Sequence, residues 1–166
     1  MYKLLIATFG IIATIGATAP TLLPLSAQAQ SAPTQSAAKR VVLTLKAEKQ
    51  VKTGNKVAYE SIAGKSVKPG DILRYTVNAK NGDKAVKNLM LTQPIPRGTS
   101  YLKNSATALN GAELLFSLDG GKTYIAKPMM GKKEAPTTAY TNLRWKFTGT
   151  IAAKAQVNAT YEVVVK

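Results

Sequence analysis

Two groups of residues in this chain have the types and spacing to do chemistry. One is the run Ser117-Leu118-Asp119-Gly120-Gly121-Lys122-Thr123-Tyr124; the other is the lysine-rich stretch beyond it, with Lys127, Lys132 and Lys133. In the run, a serine, an aspartate and a threonine alternate around two glycines. Glycine reaches the positive φ that a tight turn requires, and short polar side chains bond back to the turn amides. Ser117, Asp119, Gly121 and Thr123 are therefore assigned to a structural hairpin turn. A calcium ion would need several carboxylates and carbonyls close together, and one aspartate beside two glycines falls short of that. Lys122, Tyr124, Lys127, Lys132 and Lys133 combine positive charge with an aromatic ring, so they form the candidate patch for an anionic polymer or a partner.

The remaining inventory narrows the chemistry further. The 166 residues contain no cysteine and no histidine, which removes thiol nucleophiles, the usual imidazole base and structural zinc. Hydrolysis by paired carboxylates needs two acids converging in a cleft. The chain has only 8 acidic residues, and most fall at expected turns or on solvent-facing strand positions. A non-enzymatic protein without metal or cofactor is expected. The formal net charge of +15 fits a polyanion partner such as lipopolysaccharide phosphate, acidic polysaccharide or nucleic acid. The same lysines also serve solubility and the protection of strand edges, which leaves an envelope protein or glycan as the other class of partner.

The N-terminus begins Met1-Tyr2-Lys3, continues as an apolar run over residues 4–19 and reaches the small-x-small site Ala27-Gln28-Ala29. That is the pattern of a secretory signal peptide over residues 1–29. Gly10, Gly16 and Pro20 interrupt the run, which falls short of the ~20 apolar residues that span a bilayer, so no transmembrane span is expected after cleavage. The expected location is periplasmic, outer-envelope-associated or extracellular. Residues 30–39 are small and polar and read as a flexible leader.

The elements that must position the candidate residues lie in residues 40–166. Residues 41–51 alternate apolar Val41, Leu43, Leu45 and Ala47 with polar neighbours, as a half-buried strand does. Residues 57–61 give a short return strand or irregular bridge. Within residues 69–101, the apolar positions Leu73, Tyr75, Val77 and Ala79 mark one strand and Leu89 and Leu91 a second, read as adjacent around Asn81-Gly82-Asp83-Lys84. Residues 113–118 and 122–126 read as a hairpin, and residues 127–139 as a long exposed loop. Leu143, Trp145 and Phe147 share one face of the next strand, and Val157, Ala159, Tyr161, Val163 and Val165 share one face of the last. No helical spacing is sustained. An all-β, immunoglobulin-like antiparallel sandwich of seven to nine strands is predicted, with Tyr75, Trp145, Phe147 and Tyr161 as its bulky core.

The motifs Pro69-Gly70-Asp71, Tyr75-Thr76-Val77, Val86-Lys87-Asn88, Pro96-Arg97-Gly98-Thr99-Ser100-Tyr101 and Leu143-Arg144-Trp145 resemble the bacterial "conserved repeat" domain, known as domain of unknown function 11. The resemblance covers most of residues 41–166 and implies an immunoglobulin-like module of secreted and envelope proteins, with no common activity. The corner here is Gln93-Pro94-Ile95-Pro96, without the acidic residue usual in the family, so no ion site is carried over. The run at Ser117 is similar to the Asp-box of sialidases and other propellers, where it is a structural hairpin.

Overall fold

The computed structural model describes residues 12–14, 41–108 and 111–166. The leader and all of the expected signal peptide except Ile12–Thr14 lie outside the described residues. In chain order the strands are β1 (Ile12–Thr14), β2 (Val42–Thr53), β3 (Lys56–Ser61), β4 (Ile72–Lys80), β5 (Val86–Lys87), β6 (Met90–Pro94) and β7 (Thr99–Tyr101). They continue as β8 (Thr107–Ala108), β9 (Glu113–Ser117), β10 (Met129–Met130), β11 (Lys133–Glu134), β12 (Asn142–Lys146), β13 (Thr150–Ile151) and β14 (Gln156–Val165). Nine of these have three residues or more.

The protein is an all-β antiparallel sandwich. One sheet runs β3-β2-β4-β14-β7, with β8 also on β14, and the other runs β1-β6-β12-β9. The alternation read from the sequence is the alternation of burial. Leu73, Tyr75, Val77 and Ala79 on β4 are buried, and the register sets Leu73 opposite Val163, Tyr75 opposite Tyr161 and Val77 opposite Ala159 on β14. Leu89, Leu91, Leu143, Trp145 and Phe147 close the same core from the second sheet. Each such large side chain contributes about 1.5–3 kcal/mol on burial. Tyr75 and Tyr161 stack with ring centroids 5.2 Å apart, Trp145 tilts against Tyr161 at 6.0 Å, and the Tyr161 hydroxyl donates to the Pro94 carbonyl at 3.2 Å. The two sheets are therefore joined by aromatic contact and by a hydrogen bond.

Three expectations are corrected. First, β4 and β6 are not neighbours: β4 pairs with β2 and β14, whereas β6 pairs with β12. Two amphipathic strands can bury their apolar faces against each other across a sandwich as well as side by side, and the connection here makes the crossing. The Asn81 side chain holds that connection by donating to the carbonyls of Lys84, Ile151 and Ala152. Second, the return limb of the hairpin after β9 shrinks to a single bridge, in which Phe116 and Ile125 exchange both backbone hydrogen bonds at 2.9 Å. Third, residues 127–139 are no plain exposed loop. Pro128 and Ala135 are buried and bonded to each other, anchoring the β10–β11 hairpin, and the 3-10 turn Thr137–Ala139 follows. Met129 and Met130 stay exposed at 53% and 56%. Among the described residues, no helix is long and apolar enough to cross a membrane.

Candidate functional site

A pocket of about 430 Å³ opens on the flank of the sandwich beyond β9. Three aromatic rings line it. Tyr101 is fixed by β7, which sets it opposite Val163 of β14. Phe116 is fixed by β9 and the Ile125 bridge. Tyr140 follows the 3-10 turn, its N–H donating to the Thr137 carbonyl. Phe116 lies 4.7 Å from Tyr140 and 5.2 Å from Tyr101, centroid to centroid, and the two tyrosines stack at 6.0 Å. The Tyr101 hydroxyl accepts the Ala106 N–H, which fixes that ring. Burial, and then the Glu134 carboxylate, push the Tyr140 hydroxyl above its ordinary pKa, so it stays a neutral donor. At the rim Lys103 and Glu134 form an ion pair of 3.1 Å, and Lys127 lines the wall.

The five residues of the expected patch are not gathered at this pocket. Lys127 lines it, while Lys132 occupies the β10–β11 turn and Lys133 opens β11. Tyr124 is committed elsewhere: the Arg144 guanidinium sits 3.5 Å over its ring and donates through Nε to Thr92 Oγ1. Arg144 alternates with the buried Leu143 and Trp145, so Tyr124 lies on the outer face of its sheet. Phe116, which faces inward, belongs to the other side. Lys122 belongs to the Asp119 turn, where its N–H donates to Asp119 Oδ1.

That turn is held by its own side chains. Asp119 accepts from the Ser117 hydroxyl, from the N–H groups of Lys122 and Thr123, and from the Thr123 hydroxyl at 2.6 Å. Ser117 Oγ in turn accepts the Gly121 N–H at 2.9 Å. Gly121 has a φ of 92°, which is what requires glycine there; a Cβ would also meet the Tyr124 hydroxyl at 2.9 Å and displace that side-chain tip. The Thr123 hydroxyl and N–H, followed by the Ser117 hydroxyl, hold the Asp119 carboxyl well below the usual carboxylate range.

The other acids are similarly occupied. Glu48 bonds Lys46 and Arg74, which together hold its pKa down. Asp71 meets Lys49 at 2.8 Å; burial alone would raise its pKa, but Lys49 and the Lys68 N–H outweigh that and lower it. Glu60, Glu113 and Asp83 pair with Lys65, Lys146 and Lys154, and Glu162 accepts the Tyr59 hydroxyl at 2.6 Å. Glu48 and Glu162 share one row of the large sheet, but Arg74 stands between them, with Tyr59 stacked over it at 3.5 Å. Among the described residues no three metal-ligating side chains cluster.

A basic grouping that sequence spacing left unread lies at the opposite end of the sandwich from the Asp119 turn. Lys80 closes β4, Lys84 and Lys87 follow in the connection, and Lys154 joins them through its N–H bond to the Gly82 carbonyl. Asp83 sits among them, 3.8 Å from Lys154. Three of these lysines fall within one short stretch of sequence; the fourth arrives only through the fold. Comparison with family models, with curated proteins and with solved structures finds no match for this chain.

Proposed function

We propose that the chain is an exported, non-enzymatic binding module, an immunoglobulin-like domain of a bacterial envelope or its exterior. Its ligand surface is the pocket of Tyr101, Phe116 and Tyr140 with Lys127 at the wall. One observation carries this reading: the pocket has a single lining carboxylate, Glu134, and that group is already paired with Lys103. Acid–base chemistry by two carboxylates has no second partner there. The same walls suit recognition, because aromatic surface takes an apolar or sugar face while Lys127 meets an anionic group. Export is supported by Lys3, the apolar run and Ala27-Gln28-Ala29.

The test is a binding screen of the protein against envelope glycans and envelope proteins, with Lys127→Glu as the variant. Charge reversal at the wall lowers affinity about tenfold with the unfolding curve unchanged; equal affinity overturns the pocket assignment.

A second reading, binding to a polyanion through charge alone, is favoured by the lysine end at Lys80, Lys84, Lys87 and Lys154. It requires affinity for a sulfated or phosphorylated polymer to fall steeply with salt, and each lysine removed to lower the logarithmic slope by about one. Affinity indifferent to salt sinks it.

A further inference from the structure

The outer edge of β6 carries a second interaction surface, made of backbone. Ile95 N–H donates to the Thr141 carbonyl at 2.8 Å and Phe147 N–H to the Leu89 carbonyl at 2.9 Å, so the odd-numbered positions of this strand bond toward β12. In an antiparallel ladder the intervening residues turn their amides the other way. The N–H and C=O groups of Met90 and Thr92 therefore face outward. The chain's own β1 lies there, with Ile12 in register with Thr92 and Thr14 with Met90.

The sheet edges of this protein are not treated alike. Of the two outer strands of the large sheet, β3 carries Lys56 and Glu60, charges of the kind that discourage further pairing, and β7 is only three residues long. At β9 the edge is capped by the Ile125 bridge. Strand β6, Met90-Leu91-Thr92-Gln93-Pro94, has no charged residue. It is also sharply bounded: Asn88 leaves the strand conformation with a φ of 55°, and Pro94 has no N–H to offer. Between those stops there is room for one short extended segment. The segment seated there is Ile12-Ala13-Thr14, uncharged and mostly β-branched.

The geometry points to the β6 edge as a strand-acceptor site for an uncharged, aliphatic extended segment in antiparallel register, filled in the full chain by Ile12–Thr14 and opened to a partner's segment of the same chemistry once residues 1–29 are removed. This rests on the export reading above. Backbone pairing supplies the affinity in such sites and the alternate side chains the selectivity. Among the described residues the buried core runs from Ile62 to Val163, and the chain beginning at Gln30 retains all of it.

The experiment compares the full chain with the chain beginning at Gln30, using a peptide of residues 10–16 carrying a charged, fluorescent tag. The shortened chain binds the peptide at least about tenfold more tightly than the full chain. Within it, Met90→Pro removes one outward N–H and lowers affinity about tenfold, while Met90→Ala keeps the amide and binds as the parent does. Equal binding by both chains, or by both variants, overturns the proposal. So does edge-to-edge dimerisation that excludes the peptide. Should Met90→Pro fail to fold, amide exchange in the parent decides: the peptide slows Met90 and Thr92 about tenfold, and unchanged rates overturn the site. The mass of the protein recovered from producing cells tests export separately; a retained N-terminus leaves the peptide result standing and keeps the edge filled from within.

Discussion

The two sheets bury the same core and treat everything else differently. The six-stranded sheet is long and answers its own polar groups: Glu48, Arg74 and Glu162 form one row with Tyr59 over it, and Asn78 with Asn158 and Thr107 with Thr160 form others. The four-stranded sheet is short; it carries the uncharged strand β6 and gives Phe116 to the aromatic-lined pocket, whose Tyr101 comes from β7 at the margin of the long sheet. A face whose side chains are mutually paired has little free energy to gain from a ligand, because each new contact must first displace an existing one. The small sheet has more to gain. On the proposed reading, recognition gathers at the short sheet and its border with β7, and the paired rows of the long sheet serve stability.

The sharpest way to break that division is through the residue both halves share. Trp145→Ala opens a cavity against Tyr161 and costs about 3–5 kcal/mol, read as a lower urea midpoint in a single transition. Two separate transitions would mean that the sheets are independent units. Trp145→Phe recovers much of the loss, because the buried indole N–H has no hydrogen-bond partner to forfeit.

Next in size is Arg74→Met, which leaves the buried Glu48 with Lys46 as its remaining partner and costs about 1–3 kcal/mol in the same measurement, the pair being partly open to solvent. Peptide and pocket binding stay unchanged if the Glu48–Arg74–Glu162 row of the long sheet is purely structural.

Acidification sharpens the comparison at the Asp119 turn. A carboxyl held below its ordinary value of 3.8 in the folded protein stabilises it fully above that pH, and this stability is lost as pH falls through the folded pKa. The thermal midpoint therefore falls on acidification below about pH 4, and Asp119→Asn flattens that portion of the profile. The smallest effect belongs to Lys65→Ala on the rim of the long sheet, within about 0.5 kcal/mol, because Lys65 and Glu60 are both largely exposed.

What could be read from the sequence was whatever is local. Alternation along β4, β12 and β14 reports burial directly, since neighbouring side chains point to opposite faces, and Trp145, Phe147, Tyr75 and Tyr161 are core as expected. The Asp119 turn is local too, closing within a few residues. Partner choice is not local: whether β4 lies beside β6 or across from it depends on contacts with β2 and β14 from distant parts of the chain. The pocket was unreadable for the same reason, being assembled from β7, β9 and the residue after a 3-10 turn. Composition misled at residues 127–139, where prolines, glycine and lysines conceal the buried Pro128 and Ala135.

The stops at Asn88 and Pro94 fix a stoichiometry. Steric-zipper growth needs six or seven residues of continuous pairing strand, and β6 offers five with a proline at one end. An edge cut this short can accept one visitor and hand nothing on to the next. It behaves as a socket and not as a seed, which lets a strongly cationic protein keep an uncharged strand at its border without templating fibrils of itself.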